Sequence, residues 1–321
     1  MKTKKTGMFL LVTVSIFLLL SQIAFARETR LVMSTSATGG AWFLFGGALS
    51  KVVSKHVPDV SATAKPSASS IENIRNVGRN RVDIGMAMPD AAYNAYNGKG
   101  SFEKEKYEGI RALFSIFGAD IYLYTLKDNS DIKKVADFQN RRVAVGAAGS
   151  GTEVCNRLIL DHYGMSYDDV DEVFLSAPEA VMAMKDGSLD AAMYSHATPH
   201  SLILDLTASR DITFIEMGEE QRAKFLEKYP YYSPSVVKAG TYTGQDKDYN
   251  TFAYHGMIIV NEKMDDELAY NIVKAVFENK PEIDHIHAKF KEIVKESALK
   301  GIKIPLHPGA ERYWREQGLI Q

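Results

Sequence analysis

The stretch RLVMSTSATGGAWFLFGGALSKVVSK at residues 30–55 decides the fold of this chain. A short apolar run at 31–33 stops at a loop of small polar residues at 34–40, and an amphipathic run begins at Ala41. This order predicts a strand, a loop and a helix, in which glycines let the loop backbone approach a ligand closely. The start of the helix directs unpaired N–H groups and a partial positive charge into the loop, where anions bind readily. The pattern therefore indicates capture of an anion, which needs no catalytic group.

The first 26 residues have the pattern of a secretory signal peptide. Three lysines within the first five residues precede an apolar run at 8–20, which is too short to span a bilayer comfortably. The segment ends in Ala24-Phe25-Ala26, so we expect cleavage between Ala26 and Arg27. An uncleaved membrane anchor is the alternative. No cysteine follows the apolar run, so the sequence does not indicate a lipid anchor.

Composition and charge argue against several classes of partner. The 321 residues carry 38 Lys and Arg against 40 Asp and Glu, a formal net charge of −2. This balance argues against nucleic acid or an anionic membrane surface, so any attraction for an anion must be local. The single Cys155 excludes an internal disulfide. We interpret it as a buried small apolar residue, with a catalytic thiol as the alternative.

The strand–loop–helix pattern recurs along the chain. The further strands predicted in this way lie at 60–64, 82–86, 142–145, 173–175 and 191–194, and their helices at 69–78, 89–96, 152–163, 179–185 and 201–206. Three helix starts, at Ser69, Ser150 and Ser176, fit the Ser-x-x-Glu capping box. Strands that alternate with helices predict an α/β fold with mostly parallel sheets and helices on both faces.

Two long apolar stretches, at 110–125 and 251–260, predict strands that cross between two domains. We expect domain I to comprise 27–122 plus 249–321 and domain II to comprise 123–248. In open sheets of this kind, ligands lie at the carboxyl ends of the strands. Two domains that face each other across a hinge form a cleft that can close.

Patterns for catalysis are incomplete in this sequence. GAAGSGT at 146–152 lacks the lysine of a P-loop, and its glycine spacing does not fit a dinucleotide-binding fingerprint. His196 and His200 could share a helix face, but Pro199 lies between them and no HExxH pattern exists. We therefore expect no enzyme activity, no cofactor and no metal site. An exported hydrolase or transferase on the same architecture, and a ligand-loaded sensor subunit, stay open as alternatives.

Eight segments resemble the TAXI-type substrate-binding proteins of tripartite ATP-independent periplasmic (TRAP) transporters, in the family's order. They are TSATGGAWF (35–43), SSIENIR (69–75), VDIGMAMPDAAYNAYNG (82–98), RRVAVGAAGSGTE (141–153), YPYYSP (229–234), AGTYTGQ (239–245), AVFEN (275–279) and IPLHPGAERYWREQG (304–318). The resemblance implies a type II-like periplasmic binding protein fold, with two domains joined by a two-strand hinge. It also implies a periplasmic location, capture of a small organic acid or amino acid, and delivery to membrane permease subunits. We expect a monomer, because the domains must hinge freely.

The resemblance places the ligand-binding residues on loops that follow strands. These residues are Ser36, Thr38, Gly39, Gly40, Trp42, Phe43, Ser69, Ser70, Asn73, Met88, Asp90, Ser150, Gly151, Thr152, Tyr194, Ser195 and His196. The chain departs from the family's pattern at Ala37 and Ala41, where Gly or Thr is frequent, and at Met88, where a polar residue is common. The ligand is therefore expected to be a dicarboxylate, an oxo acid or a glutamate-like amino acid.

We expect a ligand carboxylate to lie between two helix starts, at 38–41 and 150–152. Main-chain N–H groups and the hydroxyls of these segments would hold the carboxylate. Trp42, Phe43 and Tyr93 would form the walls of the cleft, with simple core packing as the alternative for each of them.

Overall fold

The computed structural model describes residues 28–321 except 37, 39, 40 and 130. Its ten strands in the described part of the chain are β1 (Thr29–Ser34), β2 (Val60–Lys65), β3 (Ile84–Ala87), β4 (Ile110–Leu126), β5 (Arg142–Ala144), β6 (Asp171–Val173), β7 (Ala191–His196), β8 (Ile212–Phe214), β9 (Ser233–Val237) and β10 (Tyr249–Asn261). Its α-helices there are α1 (Ala41–His56), α2 (Ser70–Gly78), α3 (Pro89–Asn97), α4 (Gly151–His162), α5 (Ala177–Asp186), α6 (Ser201–Thr207), α7 (Glu219–Lys228), α8 (Asp266–Glu278), α9 (Pro281–Asp284) and α10 (Pro308–Glu316).

The strands form one continuous mixed sheet in the order β2-β1-β3-β10-β4-β7-β5-β6. The outer groups β2-β1-β3 and β7-β5-β6 are parallel, whereas β10 and β4 pair antiparallel with each other and with their neighbours. The short strand β8 pairs with β4, and β9 pairs with β10. The predicted α/β class is confirmed, with the parallel pairing limited to the outer strands of each half of the sheet.

The long strands β4 and β10 run from one half of the sheet into the other. The first part of β4 pairs with the last part of β10, and the last part of β4 pairs instead with β7 and β8. Gly118 lies opposite His255 where β4 pairs with β10, and a Cβ atom there would lie 1.7 Å from the carbonyl oxygen of Tyr254. Only glycine fits at this position. The two predicted crossing strands are therefore present, and the domain boundaries drawn from them stay a prediction.

Alternating side chains along the long strands build a core on each face of the sheet. On β10, Ile258 and Val260 pack in one cluster with α1, α8 and α10, whereas Met257 and Ile259 pack in another with α2 and α3. Helix α1 adds Phe45 to the first cluster, fully buried. Burying such a side chain contributes about 1.5–3 kcal/mol. In the second half of the molecule, which contains β5, β6 and β7, alternate side chains of β4 and β7 likewise pack into one cluster on each face of the sheet.

Local signals in the sequence start the helices where we expected them. The Ser69 hydroxyl accepts the N–H of Glu72, and the Ser150 hydroxyl accepts the N–H of Glu153. At Ser176 the reciprocal half of the capping box forms, because its N–H and hydroxyl both donate to Glu179. The strands β8 and β9 were not predicted. The predicted signal peptide lies outside the described residues, and no helix among those described is long and apolar enough to cross a membrane.

Candidate functional site

A cavity of about 240 Å³ lies at the carboxyl ends of the strands in the first half of the sheet. Ser36, Trp42, Ser69, Ser70 and Met88, all predicted to bind ligand, lie together in its wall. Thr35, Ala68 and Tyr254 complete the lining, and we call this space the hydroxyl-lined cavity. No charged side chain is among these eight lining residues. The structure therefore groups five predicted residues around one space without testing what binds there.

Hydrogen bonds hold the three loops of this cavity in place. The buried side chain of Asn73 donates to the carbonyl oxygens of Thr35 (2.7 Å) and Met86 (2.8 Å) and accepts from the Ser34 hydroxyl (2.6 Å). The Ser70 hydroxyl accepts the main-chain N–H of Met88 at 3.0 Å. Asn73 is thus a structural link between the ends of β1 and β3, since both of its N–H groups are used within the protein.

The start of α4 faces this cavity from the second half of the molecule. A Cβ atom on Gly151 would lie 3.3 Å from the terminal methyl carbon of Met88. The hydroxyls of Thr152 and Ser195 lie 2.6 Å apart. Burial raises the pKa of Tyr254, so its hydroxyl stays neutral and can donate. The Thr152–Ser195 hydrogen bond therefore joins the start of α4 to β7, and Tyr254 lines the cavity from β10.

Trp42 and Tyr254 separate the hydroxyl-lined cavity from a larger space of about 500 Å³. We call the larger space the lysine-side cavity. Its other lining residues are Ala41, Phe117, Gly118, Ala197, Pro199, His200, Ser201, His287, Ala288 and Lys289. Gly256 lies beneath Trp42 and makes room for its ring, because a Cβ atom there would lie 2.4 Å from a ring carbon. Lys289 forms an ion pair with Glu292, and burial together with Lys289 lowers the pKa of His200.

Several predicted residues lie outside both cavity linings. Thr38 is exposed and Phe43 is half-buried. The Tyr93 ring packs on Tyr231 of the other half, with their centroids 5.4 Å apart. Gly39 and Gly40 lie outside the described residues.

Tyr194 and His196 have structural surroundings in the second half. The Tyr194 hydroxyl donates to the carbonyl oxygen of Leu175 at 2.7 Å. The buried His196 ring stacks on Tyr194 and on His200, with centroid distances of 5.7 and 4.2 Å. Burial, with a smaller effect of His200, lowers the pKa of His196 to about 3, so the ring is neutral. Neither side chain borders the two cavities.

Tyr254 is a lining residue that the sequence did not reveal. It lies in the apolar stretch at 251–260, which we interpreted only as a crossing strand. One signal was present: the run Tyr254-His255-Gly256 interrupts the apolar pattern near its centre. This interruption of the apolar pattern coincides with the point on β10 where Tyr254 borders both cavities.

The arrangement offers hydrogen-bond donors and aromatic walls. The described residues include no cluster of three or more His, Cys, Asp or Glu side chains that could hold a metal ion. Cys155 is buried, as expected, and burial raises the pKa of its thiol to about 12. The hydroxyls of the cavity and the N–H groups at two helix starts suit an anionic or strongly polar ligand.

The fold is that of two-domain periplasmic binding proteins. A TctC solute binding protein from Polaromonas is 14% identical, with a TM-score of 0.55 over 92% of this chain and 100% of that one. A Xanthomonas citri protein bound to ATP is 12% identical, with a TM-score of 0.54 over 90% and 95%. PhnD1 from Prochlorococcus marinus, in complex with methylphosphonate, is 10% identical, with a TM-score of 0.51 over 91% and 100%. The chain itself belongs to the NMT1-like family, whose sequence model matches residues 33–318.

Proposed function

We propose that this protein is an exported solute-binding protein that captures a small carboxylate in the cleft and delivers it to a TRAP permease. The proposal rests on one observation: Ser69 and Ser70, at the start of α2, line the hydroxyl-lined cavity, and the start of α4 at Ser150 to Thr152 approaches its wall at Met88. The fold and the family support the class of protein. The resemblance of eight segments to TAXI-type proteins supports the TRAP permease as partner, and the pattern of the first 26 residues supports a periplasmic location.

Neutral donors can supply the affinity for such a ligand. A hydrogen bond to a charged group contributes roughly 1.5–3 kcal/mol. A helix start adds about 0.3–1 kcal/mol, or roughly 2 kcal/mol where it is partly buried. Micromolar affinity corresponds to about 8 kcal/mol. Three or four bonds from Ser36, Ser69, Ser70, Ser150 and Thr152 reach this range after the cost of association.

Closure would follow from contacts that the ligand makes only when both halves meet. The domains proposed above, 27–122 plus 249–321 and 123–248, each contribute one helix start to the cleft. A ligand that touches both starts stabilises the closed arrangement by its differential affinity for it. The permease would then recognise the closed, loaded monomer.

Binding is tested by calorimetry on the mature protein, after a thermal-shift screen of dicarboxylates, oxo acids and amino acids. For the best compound, we expect Ser150→Ala with Thr152→Ala to weaken affinity at least tenfold. Ser176→Ala is the matched control, because Ser176 also starts a helix but α5 begins away from both cavities. Unchanged affinity in the double variant would disprove the anion site, and turnover of the bound compound would favour an enzyme.

A further inference from the structure

Asp90 is a half-buried residue beside the cleft. It is the second residue of α3, two positions after Met88, which lines the hydroxyl-lined cavity. Its Oδ1 atom is buried and has no hydrogen-bond partner among the described residues. The main-chain N–H groups of Asp90 itself and of Ala91 favour its charged form, but burial outweighs them and raises the pKa of this carboxyl. A buried carboxylate with an unpaired oxygen is costly to keep.

The groups that face Asp90 are uncharged at neutral pH. The charge of Asp90 acts on Cys155 of α4, on Tyr231 and Tyr232 before β9, and on Tyr254 of β10. Burial raises the pKa of each of these groups, so none of them is ionised. On α3 itself, the ring of Tyr93 packs against Tyr231. Among the described residues no cation forms an ion pair with Asp90, and Lys99 lies instead over the Tyr93 ring, 5.6 Å from its centroid.

This burial depends on contact between the two halves of the molecule. Cys155, Tyr231 and Tyr232 belong to the segment 123–248, whereas Asp90 belongs to 27–122. The Tyr93–Tyr231 contact and the approach of Met88 to Gly151 join the same two segments. If the halves separate, the carboxyl group is exposed to water and its desolvation cost disappears.

We propose that Asp90 opposes closure of the cleft, so that the ligand-free protein stays open and a ligand must supply the free energy that buries this carboxylate. The inference rests on the proposed function, because it concerns the closure of that same cleft. It makes Asp90 a residue that sets the open–closed equilibrium, and not one that contacts the ligand. The apparent affinity for any ligand would fall in proportion to the fraction of closed protein.

The pH dependence of closure follows from the direction of the pKa shift. Closure raises the pKa of the carboxyl group above its value in the open protein, because contact between the halves desolvates it. Above the raised pKa, both states carry a charge and the full cost of closure applies. As the pH falls below the raised pKa, the closed protein takes up a proton first and the cost declines. Acid therefore favours closure.

The distance between the halves can be measured without any ligand. Lys104 and Glu227 are exposed and lie on opposite sides of the proposed hinge, whereas Cys155 is buried. Spin labels on Lys104→Cys and Glu227→Cys would report the distance by double electron–electron resonance. At pH 7.5 we expect a long distance in the wild-type background and a shift towards the short distance with Asp90→Asn. The ratio of closed to open protein should grow about tenfold for each unit by which closure raises the pKa.

Asp266→Asn is the matched control, because Asp266 is an exposed acid in the first turn of α8 and lies far from this contact. Its distance distribution should match that of the wild-type background. The inference is wrong if Asp90→Asn leaves the distribution unchanged. If Asp90→Asn does not fold, a wild-type distribution that stays constant from pH 7.5 to pH 4.5 would also overturn it. Neither result depends on whether a carboxylate binds, so the proposed function is tested separately.

Discussion

The two halves of this protein meet at two neighbouring places of opposite character. Around the hydroxyl-lined cavity the start of α4 approaches Met88, and the Thr152 and Ser195 hydroxyls beside it hydrogen-bond each other. Around Asp90 the two halves meet through aromatic rings and a thiol, and a carboxyl oxygen has no partner among the described residues. The first contact satisfies its polar groups and the second does not. The contacts that favour closure and the carboxyl group that opposes it therefore lie at neighbouring places, because Met88 and Asp90 are two positions apart in the chain.

This difference shows how a binding cleft can remain open until its ligand arrives. Hydrogen-bonded hydroxyls can exchange one partner for another at little cost, because each protein bond replaces a bond to water. A desolvated carboxyl group cannot do so, and it penalises the closed state whatever the ligand is. Changes at the first contact should therefore alter which compounds bind, whereas changes at the second should alter affinity for all of them.

The largest effect is expected at Gly118, where the two strands that cross between the halves, β4 and β10, pair with each other. Gly118→Ala would place a Cβ atom 1.7 Å from the carbonyl oxygen of Tyr254, which forces β4 and β10 apart. We expect the free energy of unfolding to fall by about 3 kcal/mol or more in urea titrations. Gly47→Ala is the control, because a Cβ atom there meets nothing within 4 Å and α1 should gain about 0.5–1 kcal/mol. Equal stability of the two variants would contradict the role given to the crossing.

A smaller loss is expected from Asn73, which holds the loops of the first contact. Asn73→Ala leaves the carbonyl oxygens of Thr35 and Met86 without their buried donor. We expect a loss of about 2–3 kcal/mol in unfolding free energy, together with weaker ligand binding. Asn97→Ala removes an exposed amide that bonds the carbonyl oxygen of Tyr93, and should cost less than about 0.5 kcal/mol. Full stability of Asn73→Ala would show that water replaces the amide.

The sequence predicts those features that depend on a few neighbouring residues. The helices that begin after Ser69 and Ser150 follow from side chains three positions apart. The long strands β4 and β10 follow from their apolar runs. By contrast, β8 and β9 span only three and five residues, too few for a pattern of alternation to show.

The candidate site likewise has one part that the sequence predicts and one part that it does not. Loops that follow strands were found from their small polar residues, and five of those residues line one cavity. The roles of Tyr254 and Asn73 depend on partners far away in the chain. Tyr254 shares the cavity with residues between 35 and 88, and Asn73 bonds residues 13, 38 and 39 positions away. No local pattern distinguishes such an asparagine from one that binds a ligand.

Burial lowers the pKa of His196, whereas it raises the pKa of Asp90. Its Nε2 atom is buried without a partner among the described residues, and burial lowers its pKa from 6.5 to about 3. The unfolded chain takes up a proton below about pH 6.5 and the folded protein does not, so stability is lost as the pH falls. At pH 5 this loss amounts to about 2 kcal/mol. In His196→Phe, unfolding titrations should show a shallower decline between pH 7 and pH 5, and a parallel decline would exclude this origin.

The smallest effect should come from the hydroxyl of Tyr254, whose ring lies between the two cavities. Tyr254→Phe keeps this ring and removes only the hydroxyl. Unfolding free energy should fall by about 1 kcal/mol or less, and ligand affinity by roughly fivefold, which corresponds to the loss of one hydrogen bond. The distance between the halves in the ligand-free protein should not change, because Asp90 is untouched. An open–closed shift in this variant would mean that the Tyr254 hydroxyl, and not the carboxyl group of Asp90, controls closure.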